Sequence, residues 1–365
     1  MSEFDRTAML ESLRRLVEAE SPSTDKALCD RCADTVADLF RSVAGVEVQR
    51  HERTARGDHL ELRFGSGVEP ILILCHYDTV WGKGTLQRLP FRVDGDRVTG
   101  PGSYDMKAGI VETAFALGTA RSSRPVVVLV NSDEEVGSGT SRELIEERAG
   151  SAVAVLVLEP AATGGAIKTA RKGFAEFRLR VEGRAAHAGV EPEKGVSAVD
   201  ELARQILELR DLADPARGTT INVGVISGGT RPNVVAAQAE ALVDVRVASR
   251  AEMDRVLPAI SRLSPRTREA RLTVEGGLDR PPLERTEGVV RLARLAQEIA
   301  AEIGFPLPES STGGVSDGNF TAALGVPTLD GLGPDGGGAH ADSEHLLVSS
   351  WIRRTELLRR LVERI

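Results

Sequence analysis

ILILCHYD, residues 71–78, runs five apolar residues into His76-Tyr77-Asp78. Unbroken apolarity over a strand's length, with no alternation, marks a strand covered on both faces, as in a parallel sheet with helices above and below it. Two later stretches repeat the pattern. VVVLV (126–130) runs into Asn131-Ser132-Asp133-Glu134-Glu135, and VAVLVL (153–158) runs into Glu159-Pro160. Helical spacing at 106–121 and 140–149 fills the gaps. The expectation is α/β, with a mixed, largely parallel sheet flanked by helices.

Working outward, helices are predicted at 5–19 and 25–42, followed by strands at 46–49 and 60–64. Beyond Gly173 the pattern changes. FAEFRLRVEG alternates like a half-exposed strand, and a helix follows at 196–211. Strand patterns TINVGVISGG and AEALVDVRVAS come next, then a helix at 251–263 and the strand ARLTVEGG. That order, β-α-β-β-α-β, predicts an inserted ferredoxin-like α+β domain over 173–282. Two prolines in DRPPLE close it. A helix at 286–303, a strand at 326–329 and a helix at 349–364 return to the first domain, predicted as 1–172 plus 283–365.

The 365 residues carry a net charge of −8 with no basic block, which argues against a nucleic-acid partner. The apolar runs fall far short of the ~18 residues a membrane span needs. MSEFDRTAML lacks a basic region followed by an apolar one, so no signal peptide is expected. Three cysteines make no disulfide framework, and Cys29 and Cys32 read as buried helix residues. Cytoplasm is the expected compartment.

In open α/β sheets, sites form beyond the carboxyl ends of the strands. Those ends here carry His76, Asp78, Glu134, Glu135 and Glu159. Asp105, in the turn GPGSYD, is predicted to N-cap the following helix. Carboxylates gathered at one sheet edge need partners, and bound cations would satisfy them. Nitrogen and oxygen donors without thiolate suit Zn²⁺, with Co²⁺ or Mn²⁺ possible. The carboxylates outnumber one tetrahedral ion's needs, so two metals sharing a carboxylate are expected. One of Glu134 and Glu135 can ligate while the other acts as general base. His340, after a glycine run, is a further ligand candidate, and His345 reads as a surface or supporting residue.

HYDTVW, GPGSYDMKAG, SDEEVGS, LEP, RAAHAG, GGTRPNVV with VDVR, GGVSDGNFTAALGVPTLDGLG and GAHADSEH occur in this order from residue 70 or so onward. Together they resemble the di-zinc aminoacylase and carboxypeptidase superfamily, which includes glutamate carboxypeptidase, succinyl-diaminopimelate desuccinylase and tripeptidase T. The resemblance implies a zinc-exopeptidase-like fold whose inserted domain is a lid and dimerisation domain. It implies that Asp105 bridges two zinc ions, with His76 and Glu159 on one and Glu135 and His340 on the other. It assigns Asp78 to orient His76 and Glu134 to act as general base on a metal-bridging water. It implies that His187 reaches the oxyanion in the other subunit of a homodimer. Asn233 and Arg231 would contact substrate, and the Gly313-Gly314 loop would offer N–H groups to its carboxylate. The substrate would be an N-acyl amino acid or short peptide, cut at an amide beside a free carboxylate. Glu159 leans toward the glutamate-carboxypeptidase branch. Ala236 replaces the family's frequent proline, and Ser249 stands where an arginine often does, with Arg250 beside it. Lys168, Arg171 and Arg250 are therefore the candidates for holding the substrate carboxylate.

Three other readings compete. Gly314-Val315-Ser316-Asp317-Gly318 matches the G-x-S-x-G elbow of a serine hydrolase, with Asp330 and His340 in triad order. PLPESSTGG before it does not read as the required strand, however, and no HGGG-type loop occurs. A metal-free binding protein on the same fold would have lost ligands or the base, and all are present here. A dinucleotide-binding fold fails because Gly100-Pro101-Gly102 lacks its third glycine.

Overall fold

A computed structural model describes residues 4–365. The chain divides into two compact units. One comprises the described residues up to Ala170, Arg285–Thr312 and Ser316–Ile365, and the other Arg171–Glu284 with Gly313–Val315.

In the larger unit a six-stranded sheet runs Val48–His51, His59–Phe64, Val126–Asn131, Ile71–His76, Ala154–Val157 and Thr328–Leu329, in that spatial order. The first two strands are antiparallel to their neighbours, and the remaining four run parallel. Register aligns Ile71 with Val126 and His76 with Asn131, so the carboxyl ends of the central strands finish level. Side-chain alternation sends Ile71, Ile73 and Cys75 into one core, and Leu72 and Leu74 into another. Helices Arg6–Glu18, Lys26–Ala44, Ala108–Thr119, Glu287–Ile303 and Val348–Arg364 supply the first core, and Arg142–Ala149 with Phe320 supplies the second. Burial on both sides is why these strands are unbroken apolar runs.

The smaller unit is one antiparallel sheet with two helices, Ala198–Leu212 and Arg250–Ser261. Its strands lie in the order Thr220–Gly228, Gln238–Val247, Gly173–Glu182, Arg271–Arg280. Ala175, Phe177, Leu179 and Val181 face the helices, while Arg178 and Arg180 pair with Glu240 on the other face. Ser249 caps the second helix by accepting the Glu252 N–H at 3.2 Å, which gives this serine a structural use.

Several local expectations need correction. Asp105 is not a helix N-cap: Lys107 holds that position for Ala108–Thr119, and Asp105 has extended angles in the turn before it. PLPESSTGG does contain a strand, Glu309–Thr312, paired with Ile167–Arg171. A small sheet of Gly336–Gly337, His345–Leu347, Arg97–Thr99 and Arg92–Asp94 escaped notice because its strands are two or three residues long. His345 is half-buried there, its Nδ1 2.9 Å from the Ser343 carbonyl. Among the described residues no helix is long and apolar enough to cross a membrane.

Candidate metal centre

The level strand ends deliver the first groups. His76 closes its strand, and Asp78 follows two residues later. Glu134 and Glu135 open a single tight turn, Glu134–Val136, just after Val126–Asn131. Glu159 follows Ala154–Val157. Asp105 arrives from the glycine-rich turn before the Ala108 helix. Gly102 takes φ 69° there, and a Cβ at that position would lie 2.5 Å from Thr79 Cγ2, so only glycine fits. His340 sits at φ 62°, in the left-handed region that non-glycine residues seldom adopt.

Asp105 lies between two groups of donors. Its Oδ1 is 3.3 Å from His76 Nε2, which is itself 3.5 Å from Glu159 Oε1. Its Oδ2 is 3.3 Å from His340 Nε2, which is 3.1 Å from Glu135 Oε2. The donor atoms of His76, Asp105 and Glu159 lie within 4.8 Å of one another, as do those of Asp105, Glu135 and His340. His76 Nδ1 is 3.1 Å from the Asp78 carbonyl oxygen and 3.5 Å from Asp78 Oδ1. The backbone carbonyl is thus the nearer orienting partner for the ring.

The Asp78 carboxylate is used chiefly elsewhere. It accepts the Glu134 N–H at 3.2 Å, the Glu135 N–H at 3.3 Å and the Ser23 hydroxyl at 2.7 Å. Buried Asp317 ties the residues flanking the same acidic turn, accepting from Asn131 Nδ2 at 2.7 Å and from the Ser138 hydroxyl. The sequence gives no sign of these roles for Ser23 or for Asp317, since nothing in their spacing announces which side chains they meet.

Electrostatics mark the cluster as cation-seeking. Asp105 and Glu135 raise His340 to about 10, against a smaller burial effect. Burial would lower His76, but Asp105, Asp78 and Glu159 outweigh it and hold the ring well above its usual range. Burial acts to raise Asp105, yet the two imidazoles keep it well below the carboxylate range. Burial, with the Asp105 charge, pushes Glu135 up against the pull of His340. Asp105 Oδ1 and Glu135 Oε1 are buried without a hydrogen-bond partner. Such atoms are costly unless something positive meets them. Imidazole and carboxylate donors without sulfur fit zinc-type divalent ions, so the residues present suit a metal pair.

The other predicted residues fall elsewhere. In the smaller unit, His187 pairs with Val234, and the Ala188 N–H donates to the Asn233 carbonyl at 3.0 Å. The RAAHAG and TRPNVV loops therefore meet, leaving His187, Arg231 and Asn233 exposed. Arg171 is buried and donates to the Gly314 and Val315 carbonyls at 3.2 and 3.1 Å. Arg246, not singled out from sequence, reaches the Gly313 carbonyl at 3.4 Å while lying over the Phe174 ring. Arg250 is exposed and faces Asp254 at 3.6 Å, an ordinary surface pair. Lys168 is half-buried on Ile167–Arg171. Ser316 is buried, and its hydroxyl donates directly to Asp330 at 2.6 Å with no imidazole between them. His340 is engaged with Asp105 and Glu135, so no serine triad forms. The three cysteines are buried free thiols.

Comparison with known proteins identifies the family. The model of peptidase family M20/M25/M40 matches residues 72–364. The chain belongs to that family. Carboxypeptidase G2 of Pseudomonas sp. (strain RS-16) is 31% identical over 98% of this chain and 89% of its own length. Acetylornithine deacetylase of Shigella sonnei is 30% identical over 65% of this chain and 67% of its own length. Aminopeptidase PepT of Bacillus cereus superposes with a TM-score of 0.82 at 23% identity, covering 98% of both chains. YXEP of Bacillus subtilis, a dinuclear metal-binding M20 peptidase, gives 0.72 at 16% identity over 98% of this chain and 97% of its own. At those identities the two structures speak for the fold. This M20 chain is a metallohydrolase of the α/β type with the family's inserted domain.

Proposed function

We propose that the chain hydrolyses an amide bond beside a free carboxylate, in an N-acyl amino acid or short peptide. In this proposal two zinc ions, or Co²⁺ or Mn²⁺, are held by His76 and Glu159, by Glu135 and His340, and by Asp105 between them. The observation that carries it is Asp105, with one oxygen facing His76 and the other facing His340. Bound there, the metals would polarise the scissile carbonyl and acidify the attacking water.

The chain's own groups do the rest. Glu134 takes the proton from the water at its carboxylate and returns it to the leaving nitrogen, which would otherwise depart as an unstable amide anion. Asp78 fixes the backbone of Glu134 and Glu135 and thereby aims the base. His187, from a second copy of the chain in a homodimer formed through the smaller unit, donates to the oxyanion. Arg231, Asn233 and the Gly313-Gly314 loop, backed by Arg171 and Arg246, receive the substrate carboxylate. The names of the Pseudomonas carboxypeptidase and the Shigella deacetylase support a carboxylate-bearing substrate. The buried thiols suit a reducing cytoplasm.

The test is a panel of N-acyl amino acids and dipeptides, assayed with Zn²⁺ and after chelation. Release of the carboxyl-terminal amino acid that stops on chelation and returns with Zn²⁺ is expected. Release that persists in chelator, or a phenylmethylsulfonyl-sensitive activity, would overturn it.

A further inference from the structure

Glu344 is a fully buried acid that the chemistry above does not use. Its carboxylate collects four donors. Oε2 accepts the Trp81 indole N–H at 2.7 Å and the Gly102 N–H at 3.0 Å. Oε1 accepts the Tyr104 N–H at 2.9 Å and the Asp105 N–H at 3.2 Å. Three of the four come from the turn that carries Asp105, and the last is the N–H of Asp105 itself. Glu344 lies four residues after His340 in sequence. One side chain therefore ties the His340 segment to the Asp105 turn and to the Trp81 loop.

We propose that Glu344 is the positioning residue that holds Asp105 between the two groups of donors. This rests on the metal reading given above. Other bonds tie the turn at its ends, Lys107 N–H to the Gly102 carbonyl at 3.0 Å and the Tyr104 hydroxyl to the Ala161 carbonyl at 2.9 Å, but of these groups it is Glu344 that accepts the N–H of Asp105. A charged acceptor answering three backbone N–H groups at once fixes the direction of the Asp105 side chain. Glu344→Gln preserves the shape but replaces one acceptor oxygen with an N–H₂ that faces donors, so it breaks the turn's hydrogen bonds on one side. Partners behind metal ligands typically alter metal affinity by ~10–100-fold when changed.

Co²⁺ titration of the metal-stripped full chain, followed by visible absorption, reads this directly, with thermal melting beside it. Expected results are two Co²⁺ per wild-type chain, binding ~10–100-fold weaker in Glu344→Gln, and recovery of turnover at raised Co²⁺. Trp81→Phe, which leaves the three backbone bonds, should lose less. Wild-type Co²⁺ affinity in Glu344→Gln overturns the proposal, whatever its melting temperature. If Glu344→Gln does not fold, Glu344→Asp decides. This variant keeps the charge but cannot span all four donors, and undiminished Co²⁺ affinity in it is equally fatal. A wild-type chain that binds no Co²⁺ instead overturns the metal reading, and this proposal with it.

Discussion

The two units hold their functional groups in opposite ways. In the larger, the carboxylates and imidazoles near Asp105 are backed by further polar groups: Asp78 under the Glu134–Glu135 backbone, Asp317 between the residues flanking that turn and Glu344 under the Asp105 turn. In the smaller, His187, Arg231 and Asn233 stand exposed on two loops joined through their backbones. The first arrangement suits ligands that must keep fixed distances around cations. The second suits groups that engage once a substrate is present.

Loss of a proposed ligand in the backed cluster should therefore remove metal, whereas loss of the proposed base Glu134 or of an exposed loop residue should spare metal while slowing turnover. The largest effect is expected from Asp105→Ala, which removes the oxygens that face His76 and His340 and that the proposal shares between two metals. Metal content should fall toward zero and activity should disappear, and a variant that retains two metals would break the comparison. Glu134→Gln comes next. Metal content and fold should persist while kcat drops ~10²–10⁴-fold, because a proton carrier is lost and a ligand is not.

His187→Ala should lower kcat ~10²–10³-fold with metal content and melting unchanged. Mixing it with Glu134→Gln should restore part of the activity, since a hybrid dimer would assemble one intact set. Mixed samples as inactive as their parents would argue against a role across subunits. Protons compete with metal for the raised imidazoles. His340, at about 10, and His76 both carry protons at neutral pH in the metal-free chain, so metal loading must release them. Metal affinity should fall as pH drops and rise toward alkaline pH, and calorimetry in two buffers of different ionisation enthalpy would register the protons. Arg250→Ala should be the mildest, within ~0.5 kcal/mol in stability and without change in KM, because its charge faces only Asp254 and solvent.

Much of this was legible in the sequence for a physical reason. Buried strands must be apolar, so the runs at 71–75 and 126–130 announce themselves, and polar residues closing such runs are conspicuous. Alternation at 174–183 likewise declares a sheet with one wet face. Among the backing residues Asp78 was singled out, though for His76, while the roles of Asp317 and Glu344 were not legible. Glu344 sits four residues beyond His340 in a block already singled out, yet its partners lie some 240 residues away in Gly102, Tyr104 and Asp105, and only the folded chain reveals them. Asp105 was misread as a cap because an acid before a helix usually is one, whereas here Lys107 takes that place. The cap that Ser249 provides and the pairing of Arg250 with Asp254 were likewise invisible in the sequence, because both depend on where the helix begins.

Metal analysis of the purified full chain, equilibrated with Zn²⁺ and freed of excess, tests the central claim most directly. Close to two ions per chain, with both lost in Asp105→Ala, is the predicted result. A wild-type chain that hydrolyses substrate while holding none would contradict it.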